Sequence, residues 1–148
     1  MRDRKKFILN EANLIARDNF YEIKPKFKID KYLLFAILNS RITSLFLEDI
    51  GRSHGKGILK IQKYELEKLK IVNPDSISKQ DQQLLTKLGL GLSKSSEKDA
   101  LQYITKIDKV LLQYVSTNLN VNKLEILLRE KVDSRLDRKS GHLKLVNE

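Results

Sequence analysis

The chain has 148 residues, 41% of them hydrophobic, with 29 Lys and Arg against 19 Asp and Glu, for a net charge of +10 and a pI near 9.7. That is enough apolar material to bury a core in one domain, or in one domain plus a helical appendage, and the charge favours an anionic partner, nucleic acid ahead of a membrane surface. The absence of cysteine excludes disulfides, thiolate metal sites and cysteine nucleophiles, His54 and His142 cannot build a zinc site by themselves, and no run approaches the roughly 18 consecutive apolar residues of a membrane span. Met1 to Lys6 leads into a strand-like segment with no cleavable signal, so the expectation is a soluble, cytoplasmic protein.

In chain order, Lys6 to Leu9 and Asn13 to Ala16 read as short strands, and Phe20-Tyr21-Glu22-Ile23-Lys24 alternates as a half-buried strand does, closed by Pro25. Asp30 is a candidate N-cap for a helix through Asp49, whose apolar residues, among them Leu33, Ile37, Ile42 and Leu45, cover a face broad enough to require burial. Asn39-Ser40 inside that helix reads as a packing or backbone-bonding feature. Gly51 sits where a C-cap glycine would, Ile58 to Ile61 reads as a strand, Tyr64 to Leu69 as a short helix and Lys70 to Val72 as a final strand.

Pro74 after Asn73 marks a boundary, dividing an α+β segment, 1–75, from a helical segment with a polar tail, 76–148. Ser78 to Leu92 is a candidate helix that Gly89 and Gly91 weaken by about 2 kcal/mol together, with Leu88 as its alternative end. Ser96 and Asp99 form a capping-box pattern ahead of Ala100, Ile104, Ile107, Leu111 and Tyr114 at helical spacing; Asn122 can cap a last helix carrying Leu124, Leu128 and Val132. The sum is an α+β fold: a small mixed sheet packed on a buried helix, followed by a C-terminal hairpin of the last two helices.

Between the buried helix and the strand at Ile58 runs Gly51-Arg52-Ser53-His54-Gly55-Lys56-Gly57. Glycine lets backbone come close to a polyanion; Arg52, His54, Lys56, Lys60 and Lys63 supply charge, and no acid falls between Gly51 and Tyr64. The loop follows a helix and lacks Gly-Lys-Ser/Thr, which argues against nucleotide hydrolysis.

Ala16 to Pro25, Leu33 to Ser40, the loop from Gly51 to Gly57 and Ile61 to Ile71, in this order and spacing, resemble the C-terminal specificity region of Taq-type adenine-specific DNA methyltransferases and fused restriction-modification enzymes. Asp99-Ala100-Leu101 with Ile107-Asp108-Lys109-Val110 is similar to the helix with which many of those proteins end, so the resemblance spans residues 5 to 115. The catalytic half of such an enzyme needs an Asn-Pro-Pro-aromatic signature; this chain has Pro25 and Pro74 alone, and Tyr114 to Asn118 departs from the expected Tyr-Gly-Leu-type turn.

The resemblance therefore implies a target-recognition module of a prokaryotic restriction-modification system: it holds the duplex in register while a methyltransferase extracts the adenine, with no catalytic residue, metal or cofactor of its own. Lys24, Lys26, Arg52, Lys56, Lys60 and Lys63 are the implied phosphate contacts. Arg17, Asn19, Tyr21, Arg52 and His54 are the candidates for base edges, with Ser53 between the last two, since Arg suits guanine and Asn suits adenine. Taken singly, His54 reads as a surface histidine and Tyr21 as an edge aromatic; their neighbours make them candidates. The implied partners are double-stranded DNA and a separate methyltransferase subunit, with a homo-oligomer through the C-terminal helices as a further option and no membrane. Two other readings compete: a scaffold that docks a methyltransferase through those helices, and a metal-dependent nuclease built on Asp49 and Glu65-Leu66-Glu67-Lys68.

Overall fold

The computed structural model describes residues 7–16, 20–54, 57–115 and 118–137. Helix α1 (Lys31–Leu38) starts where Asp30 accepts hydrogen bonds from the backbone N–H groups of Tyr32 and Leu33, at 2.8 and 3.0 Å. The expected single helix to Asp49 is two helices, because side chains at the junction take over backbone groups that a continuous helix would use. The Asn39 amide donates to the carbonyls of Phe35 and Phe7, at 3.0 and 3.3 Å. Ser40 Oγ donates to the Ile37 carbonyl at 2.8 Å and accepts from Thr43 N–H, capping helix α2 (Arg41–Ile50). Gly51 is the C-cap residue of α2, but in extended backbone rather than a left-handed turn.

The mixed sheet reduces to one antiparallel pair, β1 (Arg52–His54) and β2 (Ile58–Lys60). The described parts of the three expected N-terminal strands, 7–9, 13–16 and 20–24, hold no regular element, and neither does 70–72. Alternation makes a strand only where a neighbour completes the ladder. Here the Asn10 side chain instead pairs with both the N–H and the carbonyl of Leu14, closing a local turn with Asn13 at φ 51°. The arm is tied to α1 through Glu11, which accepts from Lys31 at 2.8 Å and from the Tyr32 hydroxyl at 3.1 Å.

Helix α3 (Lys63–Leu66) is shorter than expected, and a 3-10 turn (Pro74–Ser76) precedes helix α4 (Lys79–Lys94), capped by Ser78. Helix α4 takes the longer of the two expected courses, past Leu92, and its glycines sit at close approaches: a Cβ on Gly89 would lie 2.1 Å from the Tyr32 carbonyl oxygen of α1. A Cβ on Gly91 would lie 2.3 Å from the Tyr103 ring of helix α5 (Glu97–Leu111). Ser96 caps α5, its Oγ accepting from Asp99 N–H and donating to the Asp99 carboxylate.

The helical hairpin is α4 with α5, joined by Ser95 and Ser96, with α1 laid along α4. Helix α6 (Val121–Asp137), capped by Asn120 rather than Asn122, packs mainly on α2 instead of pairing with α5. The core draws on both segments of the chain: Leu33, Ala36 and Ile37 of α1 and Ile42 of α2 meet Leu85, Ile107, Leu111 and Leu124. Inside it, the buried Asp108 carboxylate accepts from the Arg41 backbone N–H at 2.9 Å and from its guanidinium at 2.8 Å, pinning the start of α2 to α5.

Candidate nucleic-acid interface

The β1–β2 register pairs Arg52 with Lys60, Ser53 with Leu59 and His54 with Ile58. Side chains alternate along a strand and directly opposed residues share a face, so Arg52, His54, Ile58 and Lys60 stand together on one side and Ser53 with Leu59 on the other. On that second side Leu59 is 5% exposed and packs inward while Ser53 stays exposed; the four residues of the first side are all exposed. Two cations directly opposed in a ladder repel each other, and one of them is partly neutralised: Arg52 Nε donates to Glu65 Oε1 at 2.6 Å.

Glu65 is buried at 6% exposure and locally held, because its Oε2 accepts from the Gln62 backbone N–H at 2.7 Å in the capping box of α3. That backbone bond, with the Arg52 guanidinium beside it, holds the carboxyl below its ordinary range against the opposing effect of burial. Arg52 also stands 5.8 Å from the centre of the Tyr64 ring. A carboxylate on one edge of the guanidinium and a ring beside it fix the side chain's direction, while the two Nη groups have no hydrogen-bond partner among the described residues.

Gly57 closes the turn into β2 with φ 74°, a left-handed conformation suited to glycine, and a Cβ there would also lie 2.7 Å from Leu136 Cδ2. Its carbonyl accepts a hydrogen bond from Arg135 of α6.

The hairpin thus brings together Arg52, His54 and Lys60 of the expected set, with Ser53 on the same strand and Lys63 exposed at the start of α3. Tyr21, Lys24 and Lys26 are exposed on the N-terminal arm, Lys24 paired with Glu22 at 3.2 Å. Arg17, Asn19 and Lys56 lie outside the described residues. Sequence reading missed Ile58, 56% exposed in the middle of the basic face, and the supporting residues Glu65, Glu48 and Arg135. Alternation from Lys60 would have found Ile58; nothing local to the hairpin points to Arg135, 78 residues beyond Gly57.

Two of the three carboxylates considered for a nuclease are engaged elsewhere: Glu65 with Arg52 and Gln62, Asp49 with Lys131. Among the described residues no three His, Cys, Asp or Glu gather as a metal site, and no helix is long and apolar enough to cross a membrane.

Residues 1–112 match the family model described as the C-terminal domain of the type II methyltransferase M.Eco57I. No curated protein and no solved structure gives a match. The matched range takes in the arm, the hairpin and α1 to α5, and leaves α6 outside it. Over three quarters of its length, then, this chain belongs to the family of C-terminal domains of type II methyltransferases.

Proposed function

We propose that the domain reads duplex DNA for an adenine methyltransferase and performs no chemistry itself. The observation that carries this reading is the outward face of the hairpin: Arg52, His54, Ile58 and Lys60 on a two-stranded ribbon, with no acid in either strand. A ribbon of two strands fits the major groove, where an arginine pairs with guanine O6 and N7 and an apolar side chain meets the thymine methyl. Arg52, aimed by Glu65 and Tyr64, is the base reader; Lys60 and Lys63 serve phosphates; and Ile58 is the apolar contact.

The test is binding to random duplex DNA at two salt concentrations, with sequencing of the bound fraction. Each phosphate contact adds about 0.9 to the slope of log affinity on log salt, and an enriched short motif is the expected result. A steep slope without enrichment would reduce the surface to a generic basic patch. Cleavage in added magnesium would revive the nuclease.

A separate methyltransferase subunit is the second partner proposed. On the C-terminal helices Leu124, Leu128 and Val132 are buried and the exposed Leu101, Ile126 and Leu136 stand ten or more residues apart, whereas Ile8, Leu14, Ile15, Phe20 and Phe27 of the arm are exposed within twenty residues. Such uncovered apolar side chains, close in sequence, mark an interaction surface. Co-elution with the catalytic domain of a type II methyltransferase deprived of its own C-terminal domain, lost in Ile15→Asp/Phe20→Asp, checks this.

A further inference from the structure

Beyond the matched residues, α6 reaches back to the hairpin. Arg135 Nε and Nη2 hold the Glu48 carboxylate at 2.8 and 3.1 Å, and the third guanidinium nitrogen, Nη1, donates to the Gly57 carbonyl. Both charged side chains are buried, at 7% and 6% exposure. One planar guanidinium therefore joins three elements: α2 through Glu48, α6, and the turn of the ribbon through Gly57. A lysine, with one nitrogen, cannot make that fork. The contact matters because a two-stranded ribbon has little stability of its own, and the facing of its outer side chains depends on what holds its ends. At one end β1 continues from α2 through Gly51; at the other, Arg135 and Leu136 close on Gly57.

We infer that Arg135 is a positioning residue for DNA recognition, and that α6 is a clamp this chain carries beyond the family domain to set the tip of the reading ribbon. The inference rests on the ribbon being the DNA-reading surface. Buried charge imposes the device's own cost, since removing either partner strands the other, so the fork is tested by removing both. Helix α6 stays seated without it through Leu124, Leu128 and Val132 and through the Lys131–Asp49 ion pair.

The experiment compares the full chain with Arg135→Ala/Glu48→Gln and Arg135→Lys, using the duplex enriched from the random pool and a scrambled duplex. Backbone hydrogen exchange at 52–60 is followed alongside. The expected result for the double variant is hairpin amides that exchange about tenfold faster and a specific-to-scrambled affinity ratio about tenfold lower. Scrambled-duplex binding and helical content should be unchanged, and Arg135→Lys should recover part of both losses. Unchanged exchange and an unchanged ratio would overturn the inference, as would equal losses on both duplexes. If the wild-type chain bound no duplex at all, the DNA reading itself would fail; slow hairpin exchange lost in the double variant would then leave Arg135 an anchor of the ribbon and nothing more.

Discussion

Gly89→Ala and Gly91→Ala make a matched pair, two residues apart in one helix, whose difference isolates packing from helix propensity. In a helix interior alanine is favoured over glycine by about 1 kcal/mol, so on propensity alone both variants gain. At 89 the new Cβ would meet the Tyr32 carbonyl oxygen at 2.1 Å and Ala36 Cβ at 3.3 Å. To restore ordinary contact, the α1 backbone must retreat by about 1.5 Å, loosening Leu33, Ala36 and Ile37, which are 4%, 0% and 0% exposed. Overpacking of that kind costs about 1–3 kcal/mol, so Gly89→Ala should be neutral to about 2 kcal/mol less stable than wild type.

At 91 the obstacle is the half-buried Tyr103 ring, which can turn without moving a helix. Gly91→Ala should therefore be the more stable of the two by about 1 kcal/mol or more, or roughly 2–4 °C in Tm for a chain of this size. Urea and thermal unfolding followed by circular dichroism read the difference. Two variants equally stabilised by about 1 kcal/mol would refute the close approach of α1 to α4.

Asp108→Ala leaves the buried Arg41 with only Thr105 and the half-exposed Glu125 as partners, and should lower the urea-derived stability by about 3 kcal/mol, the low end for a broken buried pair. Glu65 has a carboxyl held below its ordinary 4.5 in the folded state, so its stabilisation is full above that value and disappears as pH falls through the lowered one. The stability gap between wild type and Glu65→Gln should accordingly hold constant from neutral pH down to the ordinary carboxylate range and close below it; a gap that widens in acid would reverse the assignment. Lys60→Glu puts an acid opposite Arg52, so it should raise hairpin stability by about 0.2–1 kcal/mol while weakening duplex binding, and losses in both would count against the register. Ile15→Asp, at a site 88% exposed, should change stability by no more than about 0.5 kcal/mol; a larger loss in the isolated chain would mean that the arm belongs to the core.

What is local to the chain could be read from it. Asp30, Ser78 and Ser96 announce their helices because an N-cap satisfies backbone N–H groups two or three residues away, and Gly51 with Ile58 to Lys60 marks the end of a helix and a strand. The basic run free of acids is likewise a property of sequence alone, and so is the family likeness carried by the order of its segments.

Tertiary structure decided what depends on partners distant in sequence. The alternating residues from Phe20 to Lys24 remain an arm because no strand among the described residues pairs with them, and Asn39, at a helix break made by local bonds, also ties the arm down through Phe7. Gly89 and Gly91 stand inside a helix that their propensity weakens, because the space a side chain would fill is occupied by α1 and α5. Strand pairing, not composition, put Ile58 beside His54 on the basic face. Burial and a guanidinium's reach across 78 residues made Arg135 the support of Gly57, since a charged residue's role depends on which partner folding brings within hydrogen-bond distance, and spacing along the chain does not encode that distance.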